Sequence, residues 1–412
     1  LLIPNSFSRS SALFGPTPGK NLISLSRIDD MKQRYKSYLK FVSCTTLAKA
    51  SNHNRYNNMN SKIVVGISQG DSNGVGYEII IKALASQGLL EICTPVVYGS
   101  SKIFGFYKKG IPEAESLTTN LVSGAAEAHP KRVNLINVIP DTYLADPGND
   151  TPEGAKAAIL SLEASVKDLK AGLIDVLVTA PFNKSSVSRE GFAFPGHTEY
   201  LTNEFGSSGS LMMMVSEELK IGLVTNHLPI DEVPAAITGE LIESKIMLMS
   251  ESLKRDFAVD RPKIAVLSLI PHSGDNGLLG KEEKEIIKPV IEKMFAAGEL
   301  VFGPFSSDGF FASAYSKGFD GVLAMYHDQG LIPFKLTDRE RGVNYTAGLP
   351  VVRCSPDHGT AFDIAGKGKA GHLSMLASIY TACDVFKNRK SYDQLRANPL
   401  RIEVPGTVRE FD

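Results

Sequence analysis

Three histidines share one local setting, and imidazole is the side chain proteins most often use to ligate metals. They are His227 in LVTNHLP, His272 in LSLIPHSGD and His327 in LAMYHDQG. Each follows a short apolar run, respectively LKIGLV, KIAVLSLI and GVLAM. Runs so rich in Val, Ile and Leu fit the central strands of a sheet covered on both faces. Ligands of open α/β sheets bind at the carboxyl ends of strands. One histidine at a strand end is ordinarily a loop hydrogen-bonder; three in the same setting point to a shared site. Three ligands with a further position open is how a catalytic metal takes substrate.

Two glycine-rich loops add a second kind of chemistry. GISQGDSNGVGYE runs from a strand into a helix, with Gly70, Gly74 and Gly76 freeing the backbone for a tight turn. Asp71 inside it and the lack of a Lys separate it from dinucleotide and triphosphate fingerprints, so alone it reads as a turn. SPDHGTAFDIAGKGKAGH is more specific: Asp357, His358, Gly359, Asp363, Gly366, Gly368 and Lys369 fall within thirteen residues. Backbone N–H groups bared by glycine, with carboxylates able to accept from ribose hydroxyls, are what a dinucleotide needs.

The elements that must position these groups form a regular alternation from Lys62 onward. KIVVGIS reads as a strand, GVGYEIIIKALASQG as a helix and TPVVYGS as a strand. In TPEGAKAAILSLEASVKDLKAG, Ala155, Ile159, Leu162, Val166 and Leu169 form one helical stripe, with Thr151 as N-cap and Glu153 in the first turn. DVLVTAPFNK is another buried strand ending in a polar loop, and KEEKEIIKPVIEKMFAAGE carries Ile286, Ile287, Val290, Ile291 and Met294 at helical spacing. The expected class is α/β, a mostly parallel sheet with helices on both faces. At 412 residues two lobes are expected, one from 61–190 with 340–412 and one from 191–339.

The first sixty residues differ in kind. They are Ser-rich and hold nine Lys or Arg against only Asp29 and Asp30. Such a leader has the composition of a transit peptide; the plainer expectation is translated upstream sequence with the start at Met59. A formal net charge of −1 with interspersed charges argues against a nucleic-acid surface or a polybasic membrane patch. No apolar run approaches the ~20 residues that span a bilayer. Cys44, Cys93, Cys354 and Cys383 form no CxxC pair, which suits a reducing, cytoplasmic location rather than a disulfide framework.

The segments GISQGDSNGVGYE, TAPFNK, FPGHTEYL, TNHLP, PHSGD, GPFSSD, AMYHDQGLIPFKL and GVNYTAGLPVVRCSPDHGTAFDIAGKGKA follow one another over residues 62 to about 385. In this order they resemble the 4-hydroxythreonine-4-phosphate dehydrogenase family, NAD-dependent enzymes of pyridoxal phosphate biosynthesis. The DIAGKG segment also resembles the cofactor loop of isocitrate and isopropylmalate dehydrogenases, whose two-lobed α/β/α fold the family shares. The resemblance implies a divalent metal (Zn, Mg or Co) on His227, His272 and His327. It implies substrate contacts from His197, Thr198, Lys335, Asn344 and Arg353, of which the cations suit phosphate and carboxylate. Asp308 and Asp328 match acidic positions near the site and, with Lys335, are the candidates for moving a proton. NAD would lie against His358, Gly359, Thr360, Asp363, Gly366 and Gly368.

The implied reaction is oxidation of 4-phosphohydroxy-L-threonine with loss of CO2, giving 3-amino-2-oxopropyl phosphate. A homodimer with the site at its interface is implied too. The chain departs from the family pattern at Gln69, Ser72 and Tyr77, where proline is usual, a change expected to alter loop rigidity rather than chemistry. Two other readings stand beside this one: a dehydrogenase for threonate or erythronate phosphate, and a metal-dependent hydrolase, against which the DIAGKG loop argues. Retention of every chemical residue type argues against a non-catalytic binding protein.

Overall fold

The computed structural model describes residues 62–398; the expectations for the leader lie outside them. The strands are β1 (Ile63–Ser68), β2 (Cys93–Gly99), β3 (Thr119–Leu121), β4 (Val133–Asn137), β5 (Val176–Thr179) and β6 (Leu211–Val215), then β7 (Lys220–Leu223), β8 (Lys263–Leu267), β9 (Leu300–Phe305), β10 (Gly321–Ala324), β11 (Val343–Ala347) and β12 (Val352–Pro356). Among the described residues they make one sheet, ordered β3-β4-β2-β1-β5-β12-β11-β6-β7-β10-β8-β9.

Eight of the eleven pairings are parallel. The exceptions are consecutive: β12–β11, β11–β6 and β6–β7. The expected mostly parallel α/β sheet is therefore present, with an antiparallel insert at its middle. For the site, the decisive fact is that β10 lies between β7 and β8 and is parallel to both. The carboxyl ends of all three open onto the same edge.

The helices follow their capping and spacing signals. We label α1 (Gly76–Leu84), α2 (Pro152–Lys170), α3 (Lys184–Arg189), α4 (His197–Glu204), α5 (Gly239–Arg255), α6 (Lys288–Ala296), α7 (His327–Thr337) and α8 (Leu373–Arg396). Thr151 caps α2 by accepting from the Gly154 amide at 3.1 Å. Ala155, Leu162, Val166 and Leu169 are buried against β1, β2 and β5, while Ile159 is only partly buried. Ser161 is buried too, because its hydroxyl accepts from the Gln69 amide and donates to the Tyr98 carbonyl. Sequence spacing predicts one helix through Ile286 and Met294; the chain makes it, with wider π-type turns over Glu283–Ile287 running directly into α6. Pro289 is the physical reason, since it brings no N–H to the ladder and crowds the turn before it.

The layer beneath β7, β8 and β10 is apolar. Met214, Ile221, Leu223, Ala265, Leu267, Val322, Ala324 and Phe334 pack together there, each large side chain contributing about 1.5–3 kcal/mol by burial. Farther along, Arg389 of α8 is buried against Asp256 (Nε–Oδ1 2.6 Å), whose other oxygen accepts from the Tyr345 hydroxyl at 2.6 Å. This pair fixes α8 to the end of α5 and to β11. No described helix is long and apolar enough to cross a membrane.

Candidate active site

His227, His272 and His327 come four, five and three residues after β7, β8 and β10, at one sheet edge. His227 and His327 face each other with ring centroids 5.4 Å apart. Partial burial, Lys184 and His327 hold the His227 pKa below its ordinary value, against a smaller opposing effect of Glu199. Its imidazole is therefore neutral near pH 7, the form that ligates metals. His327 opens α7, and its Nδ1 lies 2.7 Å from Asp328 Oδ1. A carboxylate there can accept from an Nδ1–H, an arrangement that leaves Nε2 facing a metal.

His272 is held differently. It begins five consecutive residues with left-handed backbone, φ 54, 52, 76, 43 and 57° from His272 to Asn276, of which only Gly274 is glycine. Such conformations cost roughly 1–2 kcal/mol each for other residues and persist only where the surroundings enforce them. Buried Glu283 does part of this, accepting from the Leu269 and Ile270 amides at 2.9 and 2.7 Å. Asp308 lies in the field of His272, and the Ser306 hydroxyl with the Gly309 amide holds its carboxyl below the usual range. Among the described residues no three His, Cys, Asp or Glu side chains gather closely enough to hold a metal by themselves. One chain brings two of the predicted ligands together and sets the third on the same edge. Two imidazoles, one of them beside a carboxylate, fit a divalent metal as donors.

Beside the histidine pair lies an anion site. Arg353 of β12 is 3% exposed and among the described residues has no carboxylate at salt-bridge distance. It donates to the Thr179 hydroxyl from Nε and Nη2 (3.1 and 2.7 Å) and to the Thr346 hydroxyl from Nη1 (3.3 Å). Burial brings its pKa down to about 10, so it keeps its charge at neutral pH. A buried guanidinium compensated only by hydroxyls is costly unless an anion joins it. Thr198 reaches the same threonine, with Oγ1 3.5 Å from Thr346 Oγ1. His197 stacks on Phe182 at 3.9 Å; burial, Arg353 and Lys184 hold its pKa well below the ordinary value. Asn344 contributes a buried Oδ1 with no hydrogen-bond partner.

Lys335 stands across the site, half-exposed, with Nζ 3.5 Å from Asp357 Oδ1. Burial raises the Asp357 pKa while Lys335 opposes it. Asp357 also feels His358 and His327, which links the anion and histidine region to the second glycine-rich loop. There His358 Nδ1 lies 3.1 Å from the Gly359 carbonyl, while buried Nε2 has no partner. The backbone is left-handed at Ala361, Gly366 and Gly368, and Asp363 is exposed. Exposed loop backbone, an orphaned imidazole nitrogen and an exposed carboxylate fit the hydroxyls and phosphates of a nucleotide.

The first loop, a plain turn by its sequence, packs directly on the second. The Val75 amide donates to the Thr360 carbonyl at 2.9 Å. A Cβ on Gly74 would stand 2.7 Å from that carbonyl oxygen, so glycine is required there by close approach. The departures from the family pattern form one network. Tyr77 hydrogen-bonds the Gln69 side chain and accepts from the Ser100 amide at 2.8 Å. Its ring stacks on Tyr107, which donates to the Ser72 carbonyl at 2.6 Å. The Ser72 hydroxyl meets that of Tyr143 at 2.7 Å. Side-chain bonds thus restrain the loop where proline is usual.

Asp71 within this loop is 1% exposed. One carboxylate oxygen accepts from the Asn73 amide at 2.9 Å and the other has no partner. Burial, with a smaller push from Asp150, raises its pKa to about 6. The folded state therefore holds an extra proton between the unfolded value near 4 and pH 6, and stability falls as pH rises through that window. Asp71→Asn is expected to stabilise the fold at pH 7.5 by on the order of 2–3 kcal/mol, a gain that fades as pH approaches 4.5. Thermal melts at the two pH values check this; equal shifts at both, or none, would refute it.

The sequence reading did not assign Lys184, Glu199, Thr179 or Thr346 to the site. Lys184 lies in the quoted segment TAPFNK, just past a predicted strand; that placement was the available signal. The threonines were hidden inside strands, where only pairing reveals which side chains meet.

The chain is similar to known proteins along most of its length. A family model described as pyridoxal phosphate biosynthetic protein PdxA matches residues 91–382. The chain is 48% identical over 342 residues to a 4-hydroxythreonine-4-phosphate dehydrogenase of Bacteroides thetaiotaomicron, covering 83% of this chain and 93% of that protein. It is 39% identical to one from Desulfosudis oleivorans, covering 79% and 97%. A 4-hydroxythreonine-4-phosphate dehydrogenase crystal structure from Klebsiella pneumoniae superposes with TM-score 0.70 at 35% identity, over 80% of this chain and 99% of that one.

Proposed function

Since the chain belongs to the pyridoxal phosphate biosynthetic protein PdxA family, we propose that it is an oxidoreductase acting on 4-phosphohydroxy-L-threonine, with NAD as hydride acceptor and a divalent metal at the histidines. The product is 3-amino-2-oxopropyl phosphate, formed with release of CO2. The observation that carries this reading is the pairing of His227 with His327, 5.4 Å apart, in the region of an arginine that is buried without a carboxylate partner. An acid phosphate supplies the missing anion, and its alcohol lies within reach of the imidazoles.

The residues divide the work. Arg353, with Thr179 and Thr346 fixing its fork, grips one anionic end of the substrate. His197 and Thr198, at the start of α4, and Asn344 orient the rest. His227, His327 and His272 would hold the divalent metal, which when bound would supply a Lewis acid for the substrate oxygens. Asp357, its pKa raised by burial and its carboxylate ion-paired to Lys335, accepts the alcohol proton and later returns one to carbon; Asp328 orients His327, and Asp308 stands in the field of His272. NAD lies against His358, Gly359, Thr360, Asp363, Gly366 and Gly368.

A homodimer completes the metal site. Exposed apolar residues follow each histidine: Leu228 and Ile230, Leu278 and Leu279, Ile332 and Leu336. Asp328, Ile332 and Leu336 recur every four residues on one face of α7, a stripe suited to a second copy that brings its own histidine edge. Two lobes, 61–190 with 340–412 and 191–339, meet where β11 pairs with β6. Four scattered cysteines with no CxxC pair suit a cytoplasmic enzyme.

Purified protein with NAD and a divalent metal is expected to give NADH and CO2 in equal amounts from 4-phosphohydroxy-L-threonine. Faster turnover of threonate or erythronate phosphate would replace the substrate and keep the chemistry. Release of inorganic phosphate without NADH would establish the hydrolase instead.

A further inference from the structure

We propose that Lys184 is a substrate-binding residue of this site, its ammonium taking the phosphate of the phosphorylated acid. The proposal rests on the dehydrogenase reading above and adds a residue that reading leaves out.

The backbone of Lys184 is pinned. Asn183 caps α3 by accepting from the Ser185 and Ser186 amides at 3.1 and 3.4 Å, and Lys184 is the first residue of that helix. Its side chain runs to Gly196, where Cε and Nζ come within 3.4 and 3.7 Å of the place a Cβ would occupy. Gly196 is extended (φ −177°), a conformation open to any residue. A Cβ there would meet the Lys184 stem at ordinary contact distance and Glu199 Oε2 at 3.2 Å, so the two side chains flank this glycine.

Lys184 Nζ stands beside Gly196, the residue before His197 and two before Thr198, so its ammonium borders the anion site, and its field reaches His197. The phosphate of the substrate is one carbon from the reacting alcohol, so its binding site lies close to the groups that hold the rest of the acid. Among the described residues no carboxylate lies within salt-bridge distance of Lys184, which is exposed. Glu199 is the carboxylate felt by His227 and Arg353, leaving two cations against one anion. Arg353 is deep, planar and already committed to two threonines, a setting for a carboxylate. Lys184 is a mobile point charge at the mouth, which suits a phosphate dianion that remains partly hydrated.

The test crosses the residue with the group it is said to hold. Wild type, Lys184→Ala and Lys184→Arg are assayed with 4-phosphohydroxy-L-threonine and with the non-phosphorylated amino acid. Lys184→Ala should raise KM for the phosphorylated acid at least tenfold and lower kcat/KM for the other by an at least fivefold smaller factor, with Lys184→Arg recovering most of the loss. Equal losses on both substrates, or none on either, would overturn the proposal. Calorimetric titration with inorganic phosphate reads the same contact without turnover: binding to wild type should weaken at least tenfold in Lys184→Ala. Unchanged phosphate binding would also overturn it. Wild type that binds phosphate through Lys184 yet makes no NADH would indict the dehydrogenase reading and leave the residue's role standing.

Discussion

Arg353→Ala is expected to lower kcat/KM for the phosphorylated acid by about a thousandfold, roughly 4 kcal/mol of transition-state binding. Loss of one charge-assisted contact in a dry site accounts for ~2–3 kcal/mol, and misorientation of the reacting carbon supplies the remainder. Arg353→Lys should recover little, because Nε, Nη1 and Nη2 address Thr179 and Thr346 separately and an ammonium cannot reproduce that fork. Stability should move the other way. Removing a buried charge that only hydroxyls compensate leaves the unliganded fold as stable as wild type, or more so. A melting temperature several degrees lower, with activity lost in proportion, would make Arg353 a structural residue instead.

His227→Ala and His327→Ala should each reduce turnover by at least a thousandfold and abolish stoichiometric metal binding, since each removes one of the two imidazoles that face each other. His272→Ala should do the same if the third ligand reaches the metal from a second copy. In that case an equal mixture of His227→Ala and His272→Ala chains regains activity through mixed dimers that hold one intact site. Asp328→Asn should cost less, about 10–100-fold in metal affinity, the usual effect of losing a group that orients a ligating imidazole. Metal content measured by mass spectrometry on the purified variants decides this. A His227→Ala enzyme that keeps both metal and turnover would remove the metal from the mechanism.

Sequence by itself determined what depends on local rules. Hydrophobic runs of strand length specified β7, β8 and β10, and with them the common placement of His227, His272 and His327 past strand ends. The Thr151 cap and the apolar stripe specified α2, because capping and helical spacing act within a few residues. Long matching segments specified the family. Pro289 widened the first turns of the helix that apolar spacing indicated without ending it; there a local backbone rule modified the pattern.

Tertiary structure decided which of those residues meet. Strand order is set by long-range pairing, and nothing near any one histidine says that β10 lies between β7 and β8. The same holds for Arg353, whose threonine partners stand 174 and 7 residues away on strands that only the sheet brings together. It holds for Lys184, an ordinary cation until the fold carries it to Gly196, and for Asp71, whose raised pKa comes from burial against Pro181 and the start of α2, far along the chain. Residue types and the chemistry open to them are properties of the chain. Distances, burial and unmatched charge arise from packing across the sheet, and they select the chemistry that this site supports.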